Sequence, residues 1–387
     1  MRTGLDVLRQ ADFAPLRGKR VGLVTHPAAI DSQYRSAAEL FAERVHLVAL
    51  FGPEHGLTGE AQDLIPVGGA GDGPVRVFSL YGDTFDTLKP TPAVLDGLDV
   101  LVIDMQDVGS RYYTFQATML YCLEACAAVG LPVVILDRLN PLNLHEVEGP
   151  TIQPGFESFV GVHPVCTRHG MTMGELAKLY QAERVPEVGL TVIWCDASRE
   201  PNTLMFHPTQ FVVPPSPNMP GPKTADVYPG MCLIEGTNLS EGRGTTRPFE
   251  YVGFPGLSPT TLVERLRAAK VPGVHFLPVA FRPTFQKHAG QTCGGFLTVV
   301  DDYDLFRPVR TGLAVLCAFR ELLGGAFQWR TERYEFVDHI PAIDLLFGSD
   351  RERKAIDAGT PWQDIAAAWE PEEAAFRERR KPYLLYT

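Results

Sequence analysis

Short runs of Val, Ile and Leu recur through the first half of the chain, at 20–26, 44–52, 75–82, 99–107 and 132–140, and polar or glycine residues bound each of them. Such continuously apolar runs are how strands covered on both faces read, because a parallel sheet between two helical layers has no solvent face. Helical patterns separate them. "SAAELFAER" follows the first run, "TFDTLKPTPAVLDG" the third, and "YTFQATMLYCLEACAAVG" the fourth, where Gly130 and Pro132 close the helix. The alternation predicts an α/β fold: a Rossmann-like, doubly wound, mostly parallel sheet.

The pattern changes further on. "LTVIWCD" (190–196) adds a strand, and the helix in "HGMTMGELAKLYQAE" starts with a Thr172–Glu175 capping box. "PTQFVVPPSPNMPGP" (208–222) is proline-dense and reads as an extended crossing. Beyond it come a helix capped by Ser258 with Pro259 in its first turn, a strand "GGFLTVVDD", a helix "RPVRTGLAVLCAFRELLG" and a cap at Thr360 with Gln363. These predict a second, smaller α/β domain, with the division at 1–215 and 216–387.

Composition narrows the function. With 46 acidic against 35 basic residues and a net charge of -11, the chain lacks the basic stripe that a nucleic-acid partner requires. No apolar run is long enough to span a bilayer, and the charged start "MRTGLDVLRQADF" lacks a signal peptide's apolar region, so no membrane association and a cytoplasmic location are expected. The seven cysteines show no C-x-x-C spacing, which suits reduced thiols rather than zinc or disulfides. "GGAGDG" (68–73) precedes a strand, where a dinucleotide fingerprint must follow one, and neither a Walker A sequence nor a G-x-S-x-G elbow is present. No nicotinamide cofactor is expected.

The candidate chemistry lies where strands end. Thr25 and His26, Glu54 and His55, Asp104 with Gln106 and Asp107, and Asp137 with Arg138 and Asn140 each close an apolar run. In a parallel sheet these ends share one edge, the edge where open α/β folds bind ligands. "FGPEHG" encloses Glu54 and His55 between Pro53 and glycines, and partial desolvation there suits a general acid. "DMQDVGSRYYT" supplies Asp104, Gln106 and Arg111 for sugar hydroxyls and Tyr113 for the apolar face of a pyranose ring, although Arg111 with Asp104 and Asp137 with Arg138 read equally as ion pairs. Asn218 is held between prolines in "SPNMP".

"EGTNLSEGRGTTRPFE" (235–250) fits neither a helical nor a strand face. Its glycines at 236, 242 and 244 would let backbone approach a ligand; Arg243 suits a carboxylate; Glu235, Asn238 and Glu241 supply acceptors and an acid or base; Thr245 helps to order the loop.

Taken together, "GPEHG", "DMQDVGSRYYT", "DRLNP", "SFVG", "HGMTMGELA", "SPNMP" and "EGTNLSEGRGTT-PFE", in this order from "GLDVL" at residue 4 to "YLLY" at 383, resemble the NamZ-type exo-β-N-acetylmuramidases. Leu139 stands where that family's motif usually has proline. The resemblance implies a Rossmann-like domain and a smaller one facing each other across a cleft that removes terminal β-1,4-linked N-acetylmuramic acid from peptidoglycan fragments. A muropeptide or muramyl disaccharide is then the partner, in cell-wall recycling, with no metal or organic cofactor. Glycoside cleavage calls for a protonated acid and a second carboxylate. Glu54 is the candidate acid and Glu241 its partner, with Glu235 as substitute, or with the roles exchanged; Arg243, Arg111 or Arg138 would clamp the lactyl carboxylate. Two rivals remain: a non-catalytic muramyl-sugar-binding protein with the same cleft, and a metal-dependent hydrolase using His26, His55 and Asp104.

Overall fold

The computed structural model describes residues 2–59, 61, 75–196 and 210–386, so "GGAGDG" and the first two residues of the proline-dense segment lie outside the described residues. The first six strands are β1 (Arg20–Thr25), β2 (His46–Gly52), β3 (Arg76–Ser79), β4 (Val100–Asp104), β5 (Val133–Leu136) and β6 (Leu190–Ile193). They form one sheet in the order β3-β2-β1-β4-β5-β6, parallel throughout. This is the doubly wound order, with its switch point between β1 and β4.

Side-chain alternation divides the central strands between two cores. Leu101, Ile103, Val133 and Ile135 join one buried cluster, while Val100, Val102, Val134 and Leu136 join the cluster on the opposite face. The period-2 geometry of a strand requires this division, and it explains why the runs show no polar positions.

The helices form where caps and apolar stripes coincide. Ser36 with Glu39, and Thr172 with Glu175, close reciprocal capping boxes, and Gly130 ends Phe115–Val129 in the left-handed conformation at φ 68°. Two expectations fail for local reasons. The pattern at 84–97 is a 3₁₀ turn (Phe85–Leu88) and a single helical turn (Pro92–Leu95), because Pro90 and Pro92 interrupt the backbone hydrogen bonding. Thr360 caps nothing; the helix Trp362–Ala367 starts behind Pro361 without a side-chain cap.

The C-terminal part holds three strands where one was expected: β7 (Tyr251–Pro255), β8 (Val274–Phe281) and β9 (Cys293–Val300), antiparallel in the order β7-β9-β8. The missed strands are the edges, where Pro255 and Pro278 cost no ladder bond. The larger apolar cluster is continuous from the six-stranded sheet (Phe51, Ile103) to this part (Val252, Phe296, Leu313, Trp369). Among the described residues, no helix is long and apolar enough to cross a membrane.

Candidate active site

Glu54 leaves the carboxyl end of β2 and Glu235 lies in the 3₁₀ turn Cys232–Gly236, 181 positions later, yet both line one cavity that opens to solvent. His55, Tyr113, Asn218 and Arg243 line it too. A larger hollow of about 1250 Å³, beside Arg265, Cys317 and Trp362, contains none of these six. Three non-glycine residues of the cavity wall, His55 (φ 70°), Phe249 (φ 62°) and Glu335 (φ 46°), have left-handed backbones. Each such residue costs about 1 to 2 kcal/mol, and strain of this kind gathers where a site over-determines its geometry.

The two glutamates have different surroundings. Thr114 donates to Glu54 Oε2 at 2.5 Å, while among the described residues no donor reaches Oε1. Both oxygens of Glu235 are held: Arg243 Nη2 donates to Oε1 at 2.7 Å and Tyr334 Oη to Oε2 at 2.8 Å. Burial pushes the Glu235 carboxyl up, but Arg243, Tyr334 and Lys287 together outweigh it and hold the group below the usual carboxylate range. Burial, with Glu235 alongside, raises the Tyr334 phenol well above its ordinary value, so it keeps the proton it donates. The guanidinium of Arg243 also lies over the Phe249 ring, 5.1 Å from its centroid.

Aromatic rings line another side. Tyr228 meets Tyr112 and Tyr113 at 5.8 Å and Phe249 at 4.9 Å between centroids. Such a wall suits the apolar face of a sugar ring. A third carboxylate, Glu335, accepts a hydrogen bond from Tyr81 Oη at 3.2 Å. Sequence reasoning missed Thr114, Tyr228, Tyr334 and Glu335. Only Thr114 stood within a quoted motif; "TERYEF" shows neither periodicity nor turn chemistry to mark it.

Nine of the expected site residues are elsewhere. Glu241 does not line the cavity, because its buried carboxylate is taken by Lys287 at 2.9 Å and Arg243 Nε at 3.4 Å. Arg111 is fully buried and donates to the carbonyls of Pro150, Val165, Leu346 and Phe347, which joins 110–167 to the C-terminal part. Asp104 and Arg138 form a bidentate pair at 2.5 and 3.0 Å with each other, so neither expected pair, Arg111 with Asp104 or Asp137 with Arg138, is the one that forms. Asp137 accepts from Gly174 N, Thr172 Oγ1 and Tyr386 Oη at 2.8, 3.1 and 2.6 Å, and burial pushes its pKa up to about 7. Gln106 donates to the carbonyls of Asp107 and Leu139, and Asn140 to that of Met171. Asn238 binds Ala326 O and Gln328 N, and Thr245 donates to Gly242 O. The polar residues at the strand ends therefore mostly satisfy loop backbone that the C-terminal part has buried.

The glycines of 235–250 also face protein rather than ligand. A Cβ on Gly236 would come within 2.8 Å of Ile343, one on Gly242 within 2.6 Å of Tyr251 O, and one on Gly244 within 2.8 Å of Phe285. The metal alternative finds its donors engaged: Asp104 is paired as above, and His26 Nε2 accepts from Gln106 N at 2.8 Å. Burial, aided by Arg138, lowers the His26 pKa to about 3. Among the described residues no three His, Cys, Asp or Glu side chains converge as metal ligands would.

A family model described as the N-terminal part of the exo-β-N-acetylmuramidase NamZ matches residues 21–223, and its C-terminal counterpart matches 226–386. The chain belongs to the NamZ family. The peptidoglycan β-N-acetylmuramidase NamZ of Bacillus subtilis strain 168 is 41% identical over 391 residues, covering 100% of this chain and 91% of that protein. Two solved structures of DUF1343 family proteins from Bacteroides fragilis NCTC 9343 cover 100% of this chain and 99% of their own, with TM-scores of 0.86 and 0.77 at 29% and 30% identity. The match to NamZ models spans both the glutamate after β2 and the glutamate of the 3₁₀ turn.

Proposed function

We propose that this NamZ-family glycoside hydrolase removes non-reducing terminal β-1,4-linked N-acetylmuramic acid from peptidoglycan fragments, a muropeptide or muramyl disaccharide being its substrate. One observation carries the assignment of roles: two carboxyls share a cavity, and only one of them is held ionised by a cation and a phenol. An ionised Glu235 is a poor proton donor at neutral pH, which leaves Glu54 to protonate the leaving oxygen through Oε1. Glu235 then faces the positive charge that develops at the anomeric carbon, or orients the acetamido group of the sugar for attack. The aromatic wall carries the ring's apolar face.

Of the three arginines considered for the lactyl carboxylate, Arg243 alone lines the cavity, and the fork of its guanidinium can serve Glu235 and the lactyl group together. A substrate without the lactyl group forgoes that contact, so glucosaminides are disfavoured. We further propose a division near residue 215, with the acid on the N-terminal unit and its partner on the C-terminal one. All seven thiols are free, six of them buried, in keeping with work in a reducing compartment such as the cytoplasm.

A β-linked muramyl chromogen incubated beside its N-acetylglucosaminyl counterpart, with and without a chelator, tests the reading. It expects release from the muramyl compound alone, unchanged by chelator. A sugar-binding protein would hold the disaccharide intact, and a metalloenzyme would stop when chelated.

A further inference from the structure

The helix Pro222–Met231 serves two hollows. Tyr228 faces the glutamate cavity, whereas Asp226, two positions earlier and so about 200° around the axis, lines a second hollow of about 770 Å³. Tyr303 and Phe306 wall it, Asn143 reaches it from the loop after β5, and Arg168 is its buried cation.

Arg168 differs from the other buried arginines. Arg111 has four carbonyl acceptors, Arg138 has Asp104 and the Ile30 carbonyl, Arg243 has Glu235, and Arg380 has the carbonyls of Leu144, His145, His169 and Gly170. Arg168 is only 5% exposed, yet among the described residues its guanidinium has no hydrogen-bond acceptor and no carboxylate within ion-pair reach, and its Nε is sealed from solvent. The carboxylates around it have other partners at hydrogen-bond range: Glu148 Oε1 accepts from Arg310 N at 2.7 Å while its buried Oε2 has no hydrogen bond, Asp226 accepts from Tyr303 Oη at 3.1 Å, and Glu146 pairs with Arg307 at 3.2 Å. A desolvated, unpaired guanidinium is unfavourable unless something from outside completes it. An arginine fork matches a planar carboxylate in shape and charge. The Tyr303 ring beside it, 49% exposed, offers an apolar surface to whatever carries that carboxylate.

We propose that this hollow is a second, non-catalytic site that binds a small carboxylate with an apolar or amide-bearing shoulder, of the acyl-amino-acid or short acyl-peptide class, forked on Arg168 and packed on Tyr303. The test reads thermal midpoints of the full chain with N-acetylalanine, its uncharged methyl ester, and inorganic phosphate. With millimolar affinity, about 20 mM of the acid should raise the midpoint by on the order of 2 °C. The ester should leave it unchanged, and phosphate should do less than the acid. Arg168→Met should abolish the rise, read against the variant's own ligand-free midpoint, which the loss of a cation near the buried Glu148 lowers. Tyr303→Ala, at an exposed position, should weaken acid binding about fivefold and serves if the first variant fails to fold. Equal rises with acid and ester, no rise with the acid, a rise that survives Arg168→Met, or a rise untouched by Tyr303→Ala would overturn the proposal. A phosphate effect matching that of the acid would overturn the carboxylate assignment.

Discussion

Glu54→Gln removes a transferable proton and changes little else. The side chains are isosteric, and the amide carbonyl can still accept the Thr114 hydrogen bond now made to Oε2 at 2.5 Å. Exchanging one carbonyl acceptor for another at this bond costs about 1 kcal/mol of stability or less. General acids usually contribute about 10²- to 10⁴-fold, or roughly 3 to 5 kcal/mol of barrier. The catalytic effect should therefore exceed the stability effect several times over. The assay compares kcat on a muramyl disaccharide, whose leaving sugar needs protonation, with kcat on an aryl muramide, whose phenolate leaves unaided. The loss should be about 10²-fold or more on the disaccharide and at least tenfold smaller on the aryl compound. A kcat within threefold of wild type on the disaccharide, or equal losses on both substrates, would refute the acid assignment.

Other changes separate the remaining residues. Arg243→Met removes the cation that holds Glu235 ionised, so the acid limb of kcat/KM should move to higher pH; an unmoved limb would show that another group sets it. The sign for stability follows from the same lowering: the contribution of Glu235 is complete above its ordinary value of 4.5 and is lost as pH falls through the lower folded value, so the variant should be less stable than wild type above about pH 4.5 and the difference should shrink as pH falls below it. Tyr334→Phe deletes one bond to a buried carboxylate, worth about 1.5 to 3 kcal/mol, and should lower both the thermal midpoint, by a few degrees, and kcat, roughly tenfold or more. Glu241→Gln removes the carboxylate that Lys287 and Arg243 Nε face, although Lys287 keeps the Ile234 and Leu239 carbonyls, so it should lower the thermal midpoint while kcat stays within tenfold, a split read by thermal denaturation beside the aryl-muramide assay.

The doubly wound sheet is legible because strands buried on both faces need uninterrupted Val, Ile and Leu, and nothing else in the chain looks like that. The edge strands β7 and β8 are not, since Pro255, Pro278 and the glycine at 253 imitate loop composition while an edge tolerates all three. Within the site, Glu54 stands out through Pro53 and its flanking glycines, and Glu235 through a segment that buries no apolar face. Asp104, Asp137, Arg138 and Asn140 carry the same composition a sugar site would, yet they bind loop backbone and one another, and composition alone does not distinguish these uses. Tyr334 and Glu335 come to the cavity on a loop 280 residues after Glu54 whose sequence contains no local pattern, so only the packed structure reveals them.

The most direct measurement is a crystal structure of the Glu54→Gln protein with an intact muramyl disaccharide bound. The account predicts the amide at position 54 within hydrogen-bond distance, about 3 Å, of the glycosidic oxygen, the Glu235 carboxylate beside the anomeric carbon or the acetamido group, and Arg243 on the lactyl carboxylate. A disaccharide bound outside this cavity, or lying in it with the glycosidic oxygen facing away from position 54, would contradict it.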